Sequence, residues 1–431
     1  MLLIKRISYL RVSTDRAFVA KAGARRAGLA AAFVSLSLLA ACAGRPGPEA
    51  LAAINETTVQ GASEHVILVA SSRERDPNPG IFFNGERTTA LNFARIDMTV
   101  PPTHKPGMVE IPRGVANPAT DMTVREALYR DTPAQFSADL KAELARRKPG
   151  DRDVTIFVHG YNTLFSEALY RFAQMAEDSK QPGVPVLFTW ASRGSVADYV
   201  YDNNSATAAR DRLEETIRLV FDSGAENVTI LAHSMGNWVT VEALRQIKIS
   251  GKPIPQSKIE NIILAAPDID VDVFKSQLKR LGKPPKPFIV IVSRDDKALA
   301  FSDFIAGDKP RLGAYTNDQE LVELGAVVVD MTKVKSLDEF NHGKFAQLAQ
   351  MAPELRGMMA HARAKNSAFT LPEQTTIAGV EFVGADKLVP TLANASGNPG
   401  SSTAGTRQGA ASASSGPSEA AAQSEGETSP Q

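Results

Sequence analysis

Val228-Thr229-Ile230-Leu231-Ala232-His233-Ser234-Met235-Gly236 opens as an apolar, β-branched run and closes on small residues. Val239, Ala243 and Ile247 then recur at helical spacing, so a strand passes into a helix with almost no loop between them. A serine on so tight a strand-to-helix turn has its hydroxyl lifted above the sheet edge. Small neighbours are needed there because strand and helix approach closely. The usual order is Gly-x-Ser-x-Gly, and Ala232 in the first place adds a single methyl. Ser234 is therefore the candidate nucleophile.

The alternation extends outward from this turn. Apolar strands are expected over 154–158, 184–190, 262–266, 287–293 and 326–331, with earlier ones over 65–71 and 91–100. Helical periodicity fills the gaps, in Phe136, Leu140 and Leu144, in Leu164, Ala168, Phe172 and Ala176, and over 208–221, 272–281 and 343–364. Strands alternating with helices imply an α/β fold, a mostly parallel sheet of about eight strands with helices on both faces.

The ends of the chain read differently. Arg25 and Arg26 precede an apolar run from Ala27 to Leu39, followed by Leu39-Ala40-Ala41-Cys42. A basic flank, a run too short to span a bilayer and small residues before a cut site predict a signal peptide over 1–41. The order Leu-Ala-Ala-Cys resembles the bacterial lipoprotein box, which implies acylation of Cys42 and anchoring in the membrane. Ala43 next to it implies, by the same resemblance, the outer membrane facing the periplasm. Residues 42–63 read as a flexible tether, 64–365 as the folded domain and 366–431 as an extension expected to be disordered from about 386. Seven of the 48 basic and one of the 48 acidic residues fall within 1–41, leaving a net charge of −6 for the rest. That balance offers no footing for nucleic acid. Cys42 is the only cysteine, so no disulfide within the chain and no thiol-based metal site is expected. No His-Glu-x-x-His spacing and no phosphate-binding Gly-rich loop occurs, so neither a metal nor a cofactor is expected.

A nucleophilic serine needs a base to take its proton and a carboxylate to hold that base. Only His342 and His361 follow Ser234. His342 lies in a loop after the last apolar strand and is preferred, whereas His361 sits within a helical pattern. Three carboxylates compete for the acid: Asp296 and Asp295 after the strand at 287–293, and Asp268 after the preceding one. Any of them is also a natural turn residue or helix cap. For the developing oxyanion, one donor is the backbone N–H of Met235, the residue after the serine.

His159-Gly160-Tyr161-Asn162, Thr189-Trp190-Ala191-Ser192-Arg193-Gly194-Ser195, the turn at Ser234 and Ala266-Pro267-Asp268-Ile269-Asp270 together resemble a bacterial α/β-hydrolase family of unknown function, loosely grouped with esterases and lipases. The resemblance covers roughly residues 64–365. It implies the α/β-hydrolase fold, favours Asp296 as the acid, assigns the second oxyanion N–H to Tyr161 and gives His159 and His233 supporting roles. Residues 190–204 are a candidate wall or lid of the pocket, or a packed loop in which Tyr199 and Tyr201 cover the sheet edge. Too few residues separate the strands ending near Ala266 and beginning near Pro287 for a large cap, so an open site is expected. The resulting expectation is a serine hydrolase acting on an ester or acyl substrate, losing activity below about pH 6.5 as His342 protonates. The alternative is a non-catalytic, lipid-anchored envelope protein that uses the same fold for binding or scaffolding.

Overall fold

A computed structural model describes residues 45–54, 58–282, 286–349, 374–377 and 379–388. The expected signal segment, Cys42, His361 and the tail after 388 lie outside the described residues. The first half of the chain runs β1 (Ser63–Arg75), β2 (Phe83–Val100), β3 (Thr123–Arg130), α1 (Pro133–Ala145), β4 (Val154–Val158), α2 (Phe165–Ser179), β5 (Val184–Thr189) and α3 (Tyr199–Asp222). The second half runs β6 (Val228–His233), α4 (Gly236–Ile249), β7 (Ile259–Ala265), α5 (Val271–Leu281), β8 (Phe288–Val292), α6 (Lys297–Ile305), α7 (Asp318–Glu323), β9 (Ala326–Asp330), β10 (Gln374–Ile377) and β11 (Val380–Val383).

Among the described residues these strands form one eleven-stranded sheet, ordered β10-β11-β9-β8-β7-β6-β4-β5-β1-β2-β3. From β1 through β9 the neighbours are parallel, apart from β2 and β3, which add antiparallel at one edge. Central strands covered on both faces must be apolar throughout, and every residue of β5 is buried. Phe165, Phe172 and Met175 of α2 pack on one face of the sheet. Leu213 and Ile217 of α3, Val239 and Ala243 of α4 and Phe274 of α5 pack on the other. The sheet order reverses at β4, which pairs with both β5 and β6. Loops leaving β4 and β6 therefore diverge to opposite faces and open a crevice at the strand ends. That crevice receives Ser234.

The sheet exceeds the expected eight strands at both edges. β3 does not stand out in the sequence because Arg125 and Glu126 interrupt its short apolar set and the exposed positions carry both Glu126 and Leu128, so no clean alternation of apolar and polar residues results. The β10–β11 hairpin pairs antiparallel with β9, Phe382 opposite Val329, which carries the folded unit past residue 365. Part of the expected tether is likewise packed: Pro48–Leu51 form a 3-10 turn with Ala50 and Leu51 buried, and Tyr170 Oη donates to Ala50 O at 2.5 Å. Within the helix expected from Gly343, a 3-10 turn spans Lys344–Gln347, Leu348 and Ala349 are helical, and the stretch from 350 lies outside the described residues.

Candidate active site

Ser234 occupies the left-handed region at φ +53, a conformation costing roughly 1–3 kcal/mol for a residue with a Cβ. The surroundings hold it there. Ser234 N donates to Ala265 O at 3.0 Å, and Asp268 N donates to Ser234 O at 3.2 Å. Buried Asn237 bridges the turn, its Nδ2 donating to Ser234 O at 2.8 Å and to Ala265 O at 2.9 Å. A Cβ on Gly236 would stand 2.6 Å from Val158 O and closer still to His159 O, and one on Gly160 would stand 2.7 Å from Ser234 Cβ. Glycine is thus required where α4 starts against the end of β4, whereas Ala232 sits buried inside the sheet between Val158 and Leu264.

His342 Nδ1 lies 2.7 Å from Asp296 Oδ2. The Asp296 carboxylate is fully buried and divided between two tasks. Its Oδ1 accepts from Ala298 N at 2.9 Å and Leu299 N at 3.0 Å, capping α6. The loop carrying the histidine is folded around Asp338, which accepts from the N–H groups of Phe340, His342 and Gly343 at 2.9, 3.1 and 2.8 Å. Burial alone would lower the His342 imidazole, but the Asp296 charge and hydrogen bond, with the charges of Asp268 and Asp338, hold it above its ordinary 6.5.

Asp295 faces away from the imidazole. It accepts from Lys344 Nζ at 2.7 and 2.8 Å and from Asn341 Nδ2 at 3.0 Å, so it clamps the histidine loop from both sides of His342. Asp268 accepts from Ser302 Oγ at 2.5 Å, with Arg311 Nε at 3.3 Å. His233 stacks on Phe345 with ring centroids 4.2 Å apart. Burial, with His342 close by, keeps His233 well below 6.5 and neutral, leaving its Nε2 to donate to His342 O at 3.2 Å.

The loop after β4 is built on a second histidine. His159 is buried and stacked on Trp190 at 5.2 Å, and burial beside Arg73 holds it well below 6.5. As a neutral ring with the proton on Nδ1, it donates to Gly160 O at 2.9 Å and accepts at Nε2 from Thr189 Oγ1 at 2.9 Å and Trp190 N at 3.1 Å. Behind it, the fully buried Arg73 donates to Ser192 O at 2.7 Å, Thr163 O at 2.8 Å, Asn84 O at 3.1 Å and Thr189 Oγ1 at 2.7 Å. Burial lowers its pKa to about 10, against the opposing charges of Asp202 and Glu167, so it stays protonated at neutral pH. No hydrogen bond from the backbone N–H of Tyr161 or Met235 is formed among the described residues. The Tyr161 ring meets Tyr199 edge-on, and its Oη donates to Val196 O.

Ser234, Tyr161, Asp268 and His342 line one cleft of about 860 Å³. Gly194, Ser195, Val196 and Tyr199 form one wall of it, so the stretch after Trp190 contributes there, while Tyr201 turns away under Arg193 at 3.6 Å. The opposite wall is α6, through Ala298, Leu299, Phe301 and Ser302. A smaller pocket of about 320 Å³ lies at the other end of the sheet between Leu244, Ile254, Leu281 and Phe288, remote from these groups. Among the described residues no group of three or more His, Cys, Asp or Glu could hold a metal ion.

Sequence reading missed Asp338, Arg73, Asn237 and the Asp295–Lys344 pair. Of these, Arg73 alone leaves a mark in the sequence, a charge closing the apolar run of β1.

A mostly parallel sheet with Ser234 on the turn after a central strand, and a histidine and buried aspartate brought to the same end, defines an α/β hydrolase. Residues 133–359 match the family described as alpha/beta hydrolase of unknown function (DUF900), and the chain belongs to that family. The match spans Ser234, Asp296 and His342 but leaves out β1 to β3, and with them Arg73. No curated protein matches the chain.

Proposed function

We propose that the protein is a serine hydrolase that cleaves carboxylic esters by acyl transfer to water, and that it is held at the bacterial envelope by an acylated Cys42. The observation that carries the reading is the 2.7 Å contact between His342 Nδ1 and the buried Asp296 carboxylate at the cleft that also contains Ser234. With its Nδ1 proton fixed toward Asp296, the imidazole keeps Nε2 as a base for the Ser234 hydroxyl. Ser234 Oγ attacks the ester carbonyl, His342 takes the proton, and the backbone N–H groups of Met235 and Tyr161 receive the oxyanion. Collapse breaks the ester C–O bond, and the alcohol leaves with the proton from His342. Water, deprotonated by His342, then releases the acid from Ser234. Of the three candidate carboxylates, Asp296 is the acid in this scheme, Asp295 secures the histidine loop and Asp268 secures α6.

A fluorophosphonate probe tests the reading. Wild-type protein is expected to label covalently and Ser234→Ala to remain unlabelled, and a series of esters of graded acyl length then defines the substrate. Among the described residues only α5 lies between β7 and β8, too little for a large cap, which argues for an ester on a larger molecule; tight preference for very short acyl groups would count against that substrate class. Folded wild type that fails to label would favour a lipid-anchored binding module.

A further inference from the structure

Arg45, close to Cys42 in sequence, bears on which way the cleft faces. Arg45 lies three residues after Cys42 and lines the cleft. Its Nη2 donates to Asn162 O at 2.9 Å and Asn162 Oδ1 at 2.7 Å, its Nη1 to Gly194 O, and Glu167 stands 3.7 Å from its Nε. It therefore ties the tether to both loops that shape the cleft, the one after β4 and the one after β5. An extended chain spans at most ~3.6 Å per residue, so the Cα of Cys42 can lie no more than about 11 Å from that of Arg45, which keeps an acyl group there on the side of the cleft that Arg45 lines.

The distribution of exposed apolar side chains bears on the same question. Half of the large ones among the described residues lie on or within three residues of a cleft-lining residue: Val196, which lines it, Val200 after Tyr199, Phe304 and Ile305 after Ser302, and Leu337 before Asp338. Val200 is 71% exposed and Leu337 59%. Exposed apolar side chains gathered around one opening mark an interaction surface, and side chains of this kind lower their free energy by entering the boundary between headgroups and acyl chains.

Resting on the hydrolase and lipid-anchor reading above, we infer that the mouth of the cleft faces the bilayer in which Cys42 is anchored, and that the substrate is a long-chain acyl ester of a lipid in that bilayer. An acyl ester rising from the membrane enters between α6 and the Gly194–Tyr199 wall. Ser234 Oγ takes the acyl carbon as the ester C–O bond breaks, His342 passes the proton to the departing lipid alcohol, and water completes release of the fatty acid.

The test uses the full, acylated chain in phosphatidylethanolamine–phosphatidylglycerol vesicles. Once Cys42 is acylated, an engineered cysteine is the sole free thiol, so an environment-sensitive fluorophore can be placed at Phe304→Cys or, for contrast, at Ile249→Cys. Ile249 is exposed at the far end of α4, about 20 Å along the helix from the Ser234 turn. The Phe304 position is expected to give blue-shifted emission quenched by a lipid-borne nitroxide, the Ile249 position aqueous emission without quenching, and the wild-type chain free fatty acid from the vesicles. Equal or reversed emission at the two positions overturns the inference, as does a chain that is never acylated. Wild type that labels with fluorophosphonate yet releases no fatty acid overturns the lipid substrate while leaving the hydrolase reading in place. Absence of fluorophosphonate labelling overturns the hydrolase reading instead, and the fluorescence contrast, which needs no turnover, still decides the orientation.

Discussion

Replacing Asp296 with Asn separates its two tasks. Asn caps a helix about as well as Asp, so its Oδ1 can keep the N–H groups of Ala298 and Leu299 that Asp296 Oδ1 now accepts. The amide NH2 then replaces Oδ2 and points a donor at His342 Nδ1, now 2.7 Å from that oxygen. Two donors cannot share that bond, so the imidazole turns to the tautomer protonated at Nε2, which has no lone pair for the Ser234 proton. The side chain is fully buried, leaving no room for water to repair the contact. The expected loss in kcat is about 10⁴-fold, or about 5 kcal/mol of transition-state stabilisation. Thermal stability should move by no more than about 4 °C. The pH dependence changes in a definite direction. In the wild type, His342 titrates above 6.5 because the charge and hydrogen bond of Asp296 outweigh burial, so kcat/KM falls as pH drops through a value above 6.5. Without that charge the imidazole is harder to protonate, and the acid limb of the residual activity should shift to lower pH. Hydrolysis of a soluble ester between pH 5 and 9, with a melting curve for each variant, measures all three effects. Asp296→Asn retaining more than about a tenth of the wild-type kcat, or Asp268→Asn falling as far, would refute the assignment of the acid.

Three further perturbations test the frame around the site. Gly236→Ala forces a Cβ to within 2.6 Å of Val158 O, so backbone must shift where α4 meets β4. A loss of about 3 kcal/mol in urea unfolding is expected, with weakened fluorophosphonate labelling. Arg73→Met leaves the carbonyls of Ser192, Thr163 and Asn84 without their buried donor. At roughly 1–3 kcal/mol for each unsatisfied group it should destabilise the chain by several kcal/mol, and wild-type stability in the same urea titration would refute the role given to that arginine. Glu177 on α2 is held down at about 2, chiefly by its hydrogen bond from His65, with Lys180 assisting against burial. Its folded-state pKa is depressed, so its stabilisation is present above the unfolded value near 4.5 and lost as pH falls toward 2. Glu177→Gln should therefore melt below wild type at pH 7, and the gap should close between about pH 4.5 and 2.

The readable parts of the sequence were those whose physics is local or periodic. β4 to β9 stand out as apolar runs because strands covered on both faces admit little else. Ser234 stands out because only small residues fit around its turn, a need set by the closeness of Gly236 to Val158 O. His342 was found by counting the histidines that follow the serine. What stayed hidden depends on partners distant in sequence. Asp338 earns no notice until its carboxylate is seen gathering three backbone N–H groups of its own loop. Arg45 looks like a tether residue until it meets Asn162. Nor was α6 legible, because Asp295 and Asp296 read as turn residues and the helix that follows spans only Lys297–Ile305.

The missed helix explains how three neighbouring carboxylates acquire different duties. α6 starts on Asp296 Oδ1, while Oδ2 of the same carboxylate holds His342. Toward its other end, Ser302 Oγ donates to Asp268 and lies 2.9 Å from Tyr199 Oη on the opposite wall. The helix is thus pinned toward both ends by aspartates from the loops after β7 and β8, Asp268 in the cleft lining and Asp296 buried behind it, and through Tyr199 it is tied to the opposite wall. A wall fixed in this way cannot tilt without pulling on the group that orients His342. Geometry at the imidazole and the width of the cleft are therefore set together. Because Asp268 already accepts from Ser302 and faces Arg311, it is committed to this brace. That commitment, more than its place after β7, is what leaves the histidine to Asp296.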